Sequence, residues 1–224
     1  MNGSYDEPAQ LGAATIYEAA GRKGLIGAPL TQLIPGSRVA GPARIARCGQ
    51  GDNLMVHAVL SEARPGDVVV LSMPKPEPVA LIGELLVTQA KVRGVAAFLV
   101  DAAVRDADEL VDLGVPIWTR YVSMKGATKQ SVGAIDEPVV VGDAEIRPGD
   151  VVVLDRDGVV VVAKERLDEV TRSARERVER ERVKRSKLEQ GALSYDLDDL
   201  RTRVEVARDQ EPAGKRSADG EQST

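Results

Sequence analysis

A basic and an acidic side chain, Arg105 and Asp106, follow an apolar run of the sequence, with Asp101 at the end of that run. Hard divalent cations prefer oxygen ligands, so either aspartate can hold such a cation directly or through water. The guanidinium of Arg105 can grip the carboxylate of a 2-oxo acid through two hydrogen bonds. The alternative is structural, with both aspartates capping a helix and Arg105 pairing with a neighbouring acid. Spacing alone does not decide between these interpretations.

A second candidate is the start of a helix predicted over residues 83–93, where the chain reads Gly-Glu-Leu-Leu. Glycine lets a ligand approach the backbone closely, and the first N–H groups of a helix have no partner within it. The carboxylate of Glu84 can support a water molecule bound to a metal ion. The signal is weak by itself, because glycines begin many helices.

Scarce residue types exclude several kinds of site. The chain contains one histidine and one cysteine, too few for a structural zinc site or an iron–sulfur cluster. A metal would therefore be held by oxygen, which favours Mg²⁺ or Mn²⁺. We expect His57 in the core or at an interface and Cys48 as a buried, unreactive thiol, which argues against a nucleophilic triad. The lysines that leave a Schiff-base mechanism open are Lys91, Lys125 and Lys129.

An eight-residue repeat indicates which elements position these residues. The sequence RPGDVVVL occurs at residues 64–71 and again at 147–154. Pro-Gly-Asp is typical of a turn, and the unbroken apolar residues that follow are typical of a strand buried on both faces. Between the copies, the pattern predicts helices over 52–63, 83–93 and 105–113 and strands over 95–100 and 115–118. This order predicts an α/β fold, in which ligands collect at the carboxyl ends of strands.

The region after the second copy is predicted to form a hairpin and a long helix. Residues 155–158 contain Asp-Gly, which favours a type I′ turn, and lead into a strand over 159–162. The helix runs from about Lys164 to Glu189. Its dense, mixed charges indicate a solvated face or ion pairs between subunits rather than a nucleic-acid site.

Composition and charge limit the class of protein. With 43% hydrophobic and 29% charged residues, the chain is predicted to be one globular domain over 1–208, including a helical extension over 164–208. Residues 209–224 are polar and predicted to be disordered. No apolar run approaches the roughly 18 residues that cross a bilayer. The N-terminus does not resemble a secretory signal, so we expect a cytoplasmic protein. A net charge of −5 argues against binding of nucleic acid.

The segments at residues 83–86, 93–95 and 101–106 resemble those of the 4-hydroxy-4-methyl-2-oxoglutarate aldolases. They resemble more closely the related 4-carboxy-4-hydroxy-2-oxoadipate aldolases and more distantly the RraA regulator proteins. The similarity continues in consistent order from residues 15–22 to residues 188–191. It implies an α-β-β-α sandwich of the RraA-like type with a long C-terminal helix. It also implies a class II aldolase that releases pyruvate, often with oxaloacetate decarboxylase activity.

The resemblance also implies roles for individual residues. Asp106 would be the direct protein ligand of Mg²⁺ or Mn²⁺, and Arg105 would bind the substrate carboxylate. Glu84 would also bond to water on the metal ion. A glutamate of a neighbouring subunit's C-terminal helix, Glu181 or as second choice Glu179, would complete each site in a trimer or hexamer. The residues implied to contact the substrate through their backbone are Gly83, Glu84, Leu85 and Leu86.

The chemistry of such a site is consistent with the residues present. Cleavage of the carbon–carbon bond of a 4-hydroxy-2-oxo acid leaves electrons on a pyruvate enolate, which a divalent cation stabilises as a Lewis acid. Decarboxylation of oxaloacetate gives the same enolate, so one site can serve both reactions. With no histidine expected nearby, water held by the metal and the carboxylates is expected to take the proton of the 4-hydroxyl group.

Two departures from the family pattern concern the distal part of the substrate. Tyr17 stands where many members carry histidine, and the Pro-rich residues 74–78 are expected to line the mouth of the site. One alternative is therefore a specialised aldolase or decarboxylase with a different substrate. The other is a non-catalytic RraA-like protein that regulates a ribonuclease. Continuation of the chain well past Val162 into a long helix favours the enzyme.

Overall fold

The computed structural model describes residues 5–210, which form eight α-helices and eleven β-strands. The helices are α1 (Asp6–Leu11), α2 (Ala13–Ala19), α3 (Leu54–Glu62), α4 (Glu84–Val92), α5 (Ala107–Leu113), α6 (Leu167–Glu189), α7 (Ser194–Leu197) and α8 (Leu200–Gln210). The strands are β1 (Thr31–Gln32), β2 (Val39–Arg47), β3 (Val68–Ser72), β4 (Ala80–Ile82), β5 (Ala97–Val104), β6 (Ile117–Val122), β7 (Ala134–Ile135), β8 (Val139–Val141), β9 (Ala144–Ile146), β10 (Val151–Leu154) and β11 (Val159–Val162). A 3₁₀ turn over Lys164–Arg166 precedes α6.

Within this part of the chain, nine strands form one sheet in the order β1-β6-β5-β3-β2-β10-β11, with β4 beside β5 and β7 beside β2. Strands β2, β3, β5 and β6 run parallel to one another, whereas β10 is antiparallel to β2 and β11. The first half of β2 pairs with β10 and the second half with β3. This one strand therefore joins the parallel part of the sheet to the antiparallel part.

The strands alternate their side chains between separate cores, which defines the layers. In β3, Val69 and Leu71 pack under α3, α4 and α5, whereas Val68 and Val70 face the opposite core. That second core is shared with β8, β9 and alternate residues of β10 and β11. The remaining side chains of β10 and β11 pack on α1, α2 and the start of α6. Helices, two β layers and further helices thus follow one another, which confirms the predicted α-β-β-α sandwich.

The two copies of the repeat have the same local structure. In each, the aspartate side chain accepts a hydrogen bond from the arginine N–H three residues earlier, at 2.8 Å for Asp67 and 2.9 Å for Asp150. The glycine has a positive φ in both turns, 91° for Gly66 and 83° for Gly149. The strands that follow, β3 and β10, lie on either side of β2 in one sheet. Both predicted strands and their burial on two faces are confirmed.

The predicted hairpin also exists, although its turn is not of type I′. Strands β10 and β11 pair from Val151–Val162 to Leu154–Val159, with residues 155–158 as the connection. A type I′ turn needs a positive φ at both central residues. Gly158 has a φ of 148°, but Asp157 is not among the residues with positive φ. The side chain of Asp155 instead organises the loop by accepting a bond from the N–H of Asp157 at 2.9 Å.

The chain divides into two compact units, Met1–Arg177 and Val178–Thr224. In the second unit, Lys184 of α6 forms an ion pair with Asp198 just after α7. The guanidinium of Arg201 lies 4.8 Å from the centre of the Tyr195 ring. Of the predicted disordered tail, residues 209 and 210 end helix α8, and residues 211–224 lie outside the described part of the chain. Among the described helices, none has the length and apolar character needed to cross a membrane.

Candidate active site

Arg105 and Asp106 form the loop between β5 and α5, so the predicted start of this helix is two residues too early. Asp106 has a φ of 57°, in the left-handed region that aspartate tolerates better than most residues. Its Oδ2 accepts a hydrogen bond from the backbone N–H of Glu84 at 3.0 Å and lies 3.6 Å from Nε of Arg105. Asp106 makes no side-chain cap for α5. Asp106 therefore caps a helix, in agreement with the structural interpretation given above. The helix that it caps is α4 and not the one that follows it, α5.

Gly83 lets the two segments come together. A Cβ atom at this position would lie 2.4 Å from Oδ2 of Asp106 and 3.0 Å from Cγ of Arg105. The φ of Gly83 is −149°, an extended conformation that any residue adopts. Space rather than backbone conformation therefore requires glycine here, because a side chain would push the Arg105–Asp106 pair away from α4.

The start of α4 offers donors beside this pair. The N–H of Glu84 binds Asp106, and the N–H of Val87 binds the carbonyl of Gly83 at 3.2 Å. The N–H groups of Leu85 and Leu86 have no hydrogen-bond partner among residues 5–210. Such unpaired donors, at the positive end of the helix dipole, suit an anionic ligand.

The structure brings all six predicted residues of the first unit to one cavity of about 520 Å³. These residues are Gly83, Glu84, Leu85, Leu86, Arg105 and Asp106. An adjoining cavity of about 350 Å³ also reaches Arg105 and Asp106, together with Val122 and Met124. The side chains of Arg105 and Asp106 are 50% and 39% exposed, so both remain accessible to a ligand.

Further polar residues of the same cavity were not assigned to it from the sequence, although Lys129 was named as a possible Schiff-base lysine. Asn53 and His57 lie four residues apart at the start of α3, and Lys129 comes from the loop after β6. The Nδ2 group of Asn53 donates to the carbonyl of Leu81 at 2.9 Å. The expectation that no histidine lies near the site is wrong, and His57 is half-buried at the cavity rather than in the core. The spacing of Asn53 and His57 on one helix face was the available signal.

Asp101 does not belong to the site. It was predicted to end a strand, but β5 continues to Val104 with an irregular register against β6 between Val100 and Ala103. Asp101 is 2% exposed and forms an ion pair with Arg120 of β6. Burial raises the pKa of Asp101 and the bond from Arg120 opposes that rise. A charged partner on the next strand thus allows a carboxylate inside a buried strand.

The two segments suspected of shaping the distal pocket lie elsewhere. The Pro-rich residues 74–78 do not line this cavity, contrary to expectation, and are fastened to Gln50 by a 2.9 Å bond from its Nε2 to the carbonyl of Lys75. Tyr17 lines separate cavities with Leu25. Cys48 is buried as predicted, and burial, together with the charge of Asp52, raises the pKa of its thiol to about 12.

The two candidate glutamates of the C-terminal helix both lie in the second unit. Glu179 accepts a hydrogen bond from Nη2 of Arg182 at 2.7 Å, and this bond lowers the pKa of the glutamate. Glu181 is half-buried. That either side chain completes the site of a neighbouring subunit stays a prediction.

The carboxylates of the cavity suit a hard cation that keeps most of its water ligands, rather than a cation enclosed by protein ligands alone. Within the described residues, no group of three or more His, Cys, Asp or Glu side chains could hold a metal ion. Asp106 leaves Oδ1 without a hydrogen bond from residues 5–210, and Glu84 is exposed beside it. Mg²⁺ is commonly held by one or two carboxylates, with water and substrate oxygens filling the other positions. The carboxylates of Asp106 and Glu84 are therefore compatible with Mg²⁺ or Mn²⁺, which they would hold together with water and substrate oxygens.

Several known proteins are similar to this chain in sequence or in fold. A protein of Halalkalibacterium halodurans, provisionally named 4-hydroxy-4-methyl-2-oxoglutarate aldolase, is 37% identical over 140 residues, which are 62% of this chain and 67% of that protein. The structure of RraAS2 from Streptomyces coelicolor, described as an unusual member of the RNase ES inhibitor RraA family, is 31% identical. Its TM-score is 0.74, and the match covers 83% of this chain and 97% of that one.

The RNA-processing inhibitor RraA from Thermus thermophilis is more distant, at 26% identity and a TM-score of 0.60 over 73% of this chain and 94% of that one. Residues 13–161 match the family described as RraA-like, Aldolase/RraA. This segment contains every element around the cavity, from the start of α2 to β11. The chain therefore belongs to the RraA-like family of aldolases and RraA proteins.

Proposed function

We propose that this chain is a divalent-metal-dependent aldolase, using Mg²⁺ or Mn²⁺, which cleaves a 4-hydroxy-2-oxo di- or tricarboxylic acid and releases pyruvate. The observation that carries the proposal is the Arg105–Asp106 pair beside the unpaired N–H groups of Leu85 and Leu86 on one cavity. The 37% identity to the H. halodurans protein supports this substrate class.

Different residues of the cavity bind different parts of the substrate. The guanidinium of Arg105, half exposed, binds the carboxylate next to the 2-oxo group, and the N–H groups of Leu85 and Leu86 bind oxygens of the same fragment. Asp106 would hold the metal ion directly, and Glu84 would support it through bound water. When bound, the ion supplies Lewis-acid stabilisation for negative charge at the 2-oxo group. Lys129, which has no ion-pair partner among residues 5–210, takes the distal carboxylate.

The reaction requires one proton to leave and one to arrive. The 4-hydroxyl group loses its proton, the bond between C3 and C4 breaks, and its electron pair moves into the enolate of pyruvate. A carbonyl forms at the former C4, and protonation of the enolate at C3 gives pyruvate. Among the cavity residues, we assign the transfer of these protons to Glu84 and His57, directly or through water. Loss of carbon dioxide from oxaloacetate leaves the same enolate, so we expect this activity as well.

We also propose that the working protein is a trimer or hexamer with its sites between subunits. Glu181, or Glu179 as the second choice, would reach the site of a neighbouring subunit. The support is the resemblance to the aldolases of the family, together with the position of both glutamates on the long helix α6.

Pyruvate release is the test, measured from 4-hydroxy-4-methyl-2-oxoglutarate, 4-carboxy-4-hydroxy-2-oxoadipate and oxaloacetate with Mg²⁺, with Mn²⁺ and with EDTA. We expect turnover with either metal and none with EDTA. Arg105→Ala and Asp106→Ala should each lower kcat/KM by at least about 100-fold. Asp108→Ala is the matched control, because this exposed aspartate of α5 is outside the lining of the cavity. An active Asp106→Ala variant would refute the assignment of the metal ligand. Turnover that survives EDTA, with an adduct trapped by borohydride, would point to a lysine imine instead.

The 31% identity to S. coelicolor RraAS2 favours a second candidate, a binding protein that regulates a ribonuclease. Such a protein would release no pyruvate from any of the three acids with either metal. It would instead lower the rate of RNA cleavage by an RNase E-type enzyme at stoichiometric concentration. Inhibition that is unchanged in the Arg105→Ala and Asp106→Ala variants would separate this function from the cavity.

A further inference from the structure

Asp52 is a buried carboxylate that the proposed reaction does not use. It is fully buried, and four donors surround it. Its Oδ2 accepts bonds from the hydroxyl of Thr128 and the N–H of Gln130, each at 2.6 Å, and from the N–H of Ser131 at 3.1 Å. Its Oδ1 accepts from the N–H of Leu54 at 2.9 Å. Three of the four donors thus converge on Oδ2, and the fourth binds Oδ1.

These bonds connect two walls of the candidate cavity that are far apart in sequence. Leu54 begins α3, the helix that carries His57, whereas residues 128–131 form the loop that carries Lys129. Two backbone bonds of 2.9 Å reinforce the connection, from the N–H of Asn53 to the carbonyl of Thr128 and from the N–H of Thr128 to the carbonyl of Gly51. The side chains of residues 128–131 are otherwise exposed, so the carboxylate ties this loop to the segment that begins α3.

Only an ionised aspartate suits this position. Its neighbours are all donors, and an asparagine would turn its own amide N–H₂ toward at least one of them. Burial raises the pKa of Asp52, but the bonds from Thr128, Gln130, Leu54 and Ser131 outweigh it and hold the pKa at about 2. The side chain is therefore charged throughout the working range of an enzyme.

We infer that Asp52 is a positioning residue, which sets the position of the Lys129 loop against α3 and thereby the distance between Lys129 and the Arg105–Asp106 pair. This inference rests on the proposed function, in which Lys129 takes the distal carboxylate. Asp52 touches no substrate atom itself. Because α3 is also held by its own core residues Met55 and Val56, we expect the effect on activity to pass through the exposed loop that carries Lys129.

The test compares Asp52→Asn, Lys129→Ala and the double variant with a matched control, Asp150→Asn. Asp150 is also buried and accepts a backbone bond, from Arg147 at 2.9 Å, but it lies outside the lining of the cavity. The readouts are kcat and KM for pyruvate release, hydrogen exchange of the amides of residues 126–131, and thermal stability. The hydrogen exchange does not depend on activity.

Asp52→Asn should raise KM about tenfold with less effect on kcat, and it should speed exchange in residues 126–131 by about tenfold or more. In the Lys129→Ala background, the same change should alter KM less than about threefold, because the two residues act as a unit. Asp150→Asn should lower thermal stability and leave KM and this exchange unchanged. Unaltered hydrogen exchange in Asp52→Asn would overturn the inference. So would an increase in KM of the double variant equal to the product of the increases in the two single variants. A wild-type protein inactive on all three acids would contradict the proposed function alone, and the exchange would then decide the role of Asp52.

Discussion

Replacement of Gly83 by alanine tests whether the close approach of α4 to the Arg105–Asp106 loop is what builds the site. The added Cβ would lie 2.4 Å from Oδ2 of Asp106, at least about 0.6 Å closer than real Cβ atoms come to other heavy atoms. Asp106 must therefore move, and its 3.0 Å bond to the N–H of Glu84 lengthens beyond hydrogen-bonding distance. Loss of this cap costs about 1 kcal/mol, or about 3 °C in Tm for a chain of this size.

The effect on activity should be much larger than the effect on stability. Displacement of a catalytic group by about 1 Å costs about 100-fold in rate, so we expect kcat/KM for pyruvate release to fall by about that factor. A coupled assay with lactate dehydrogenase measures this directly. Gly27→Ala is the control, because its Cβ would lie 2.6 Å from Oδ1 of Asp143, a similar clash with an aspartate outside the lining of the cavity. That variant should lose less than about threefold. A Gly83→Ala protein with kcat/KM within threefold of wild type would refute the reasoning.

Three further predictions concern buried charges and the buried thiol. The pKa of Asp52, about 2 against an ordinary 3.8, means that its charge stabilises the fold above about pH 4. This contribution is lost as the pH falls toward 2, so the difference in unfolding free energy between wild type and Asp52→Asn should shrink over that interval in urea titrations. Asp101→Ala leaves the guanidinium of Arg120, 14% exposed, without its partner, and should cost about 3 kcal/mol by the same method. Cys48, with its pKa raised to about 12 by burial and by the charge of Asp52, should not react with Ellman's reagent at pH 8 until the protein is denatured. Rapid labelling of the folded protein would contradict the burial of this thiol.

Local sequence patterns predicted the central helices and strands of the chain, because each pattern depends on residues close together in the chain. The unbroken apolar residues after both RPGD turns form β3 and β10, each buried on two faces. The spacing of apolar residues predicted α3 and α4 to within two residues at each end. The patterns failed where a distant residue intervened. Strand β5 passes through Asp101 because Arg120 of the neighbouring strand neutralises it.

In the candidate site, too, some features follow from local sequence and others from contacts between distant segments. The sequence by itself determined its chemical types, namely an Arg-Asp pair after a strand and a Gly-Glu pair at a helix start, since these are set by residue identity and by the nearest turn. Only the tertiary structure decided that the two motifs meet, because that requires Asp106 to bind the N–H of Glu84 across 22 positions of the chain. The place of Lys129 likewise depends on the buried carboxylate of Asp52, which binds a hydroxyl 76 residues away. Helix and strand propensity act over a few residues, whereas the walls of a cavity are held by hydrogen bonds that form only after distant segments have packed.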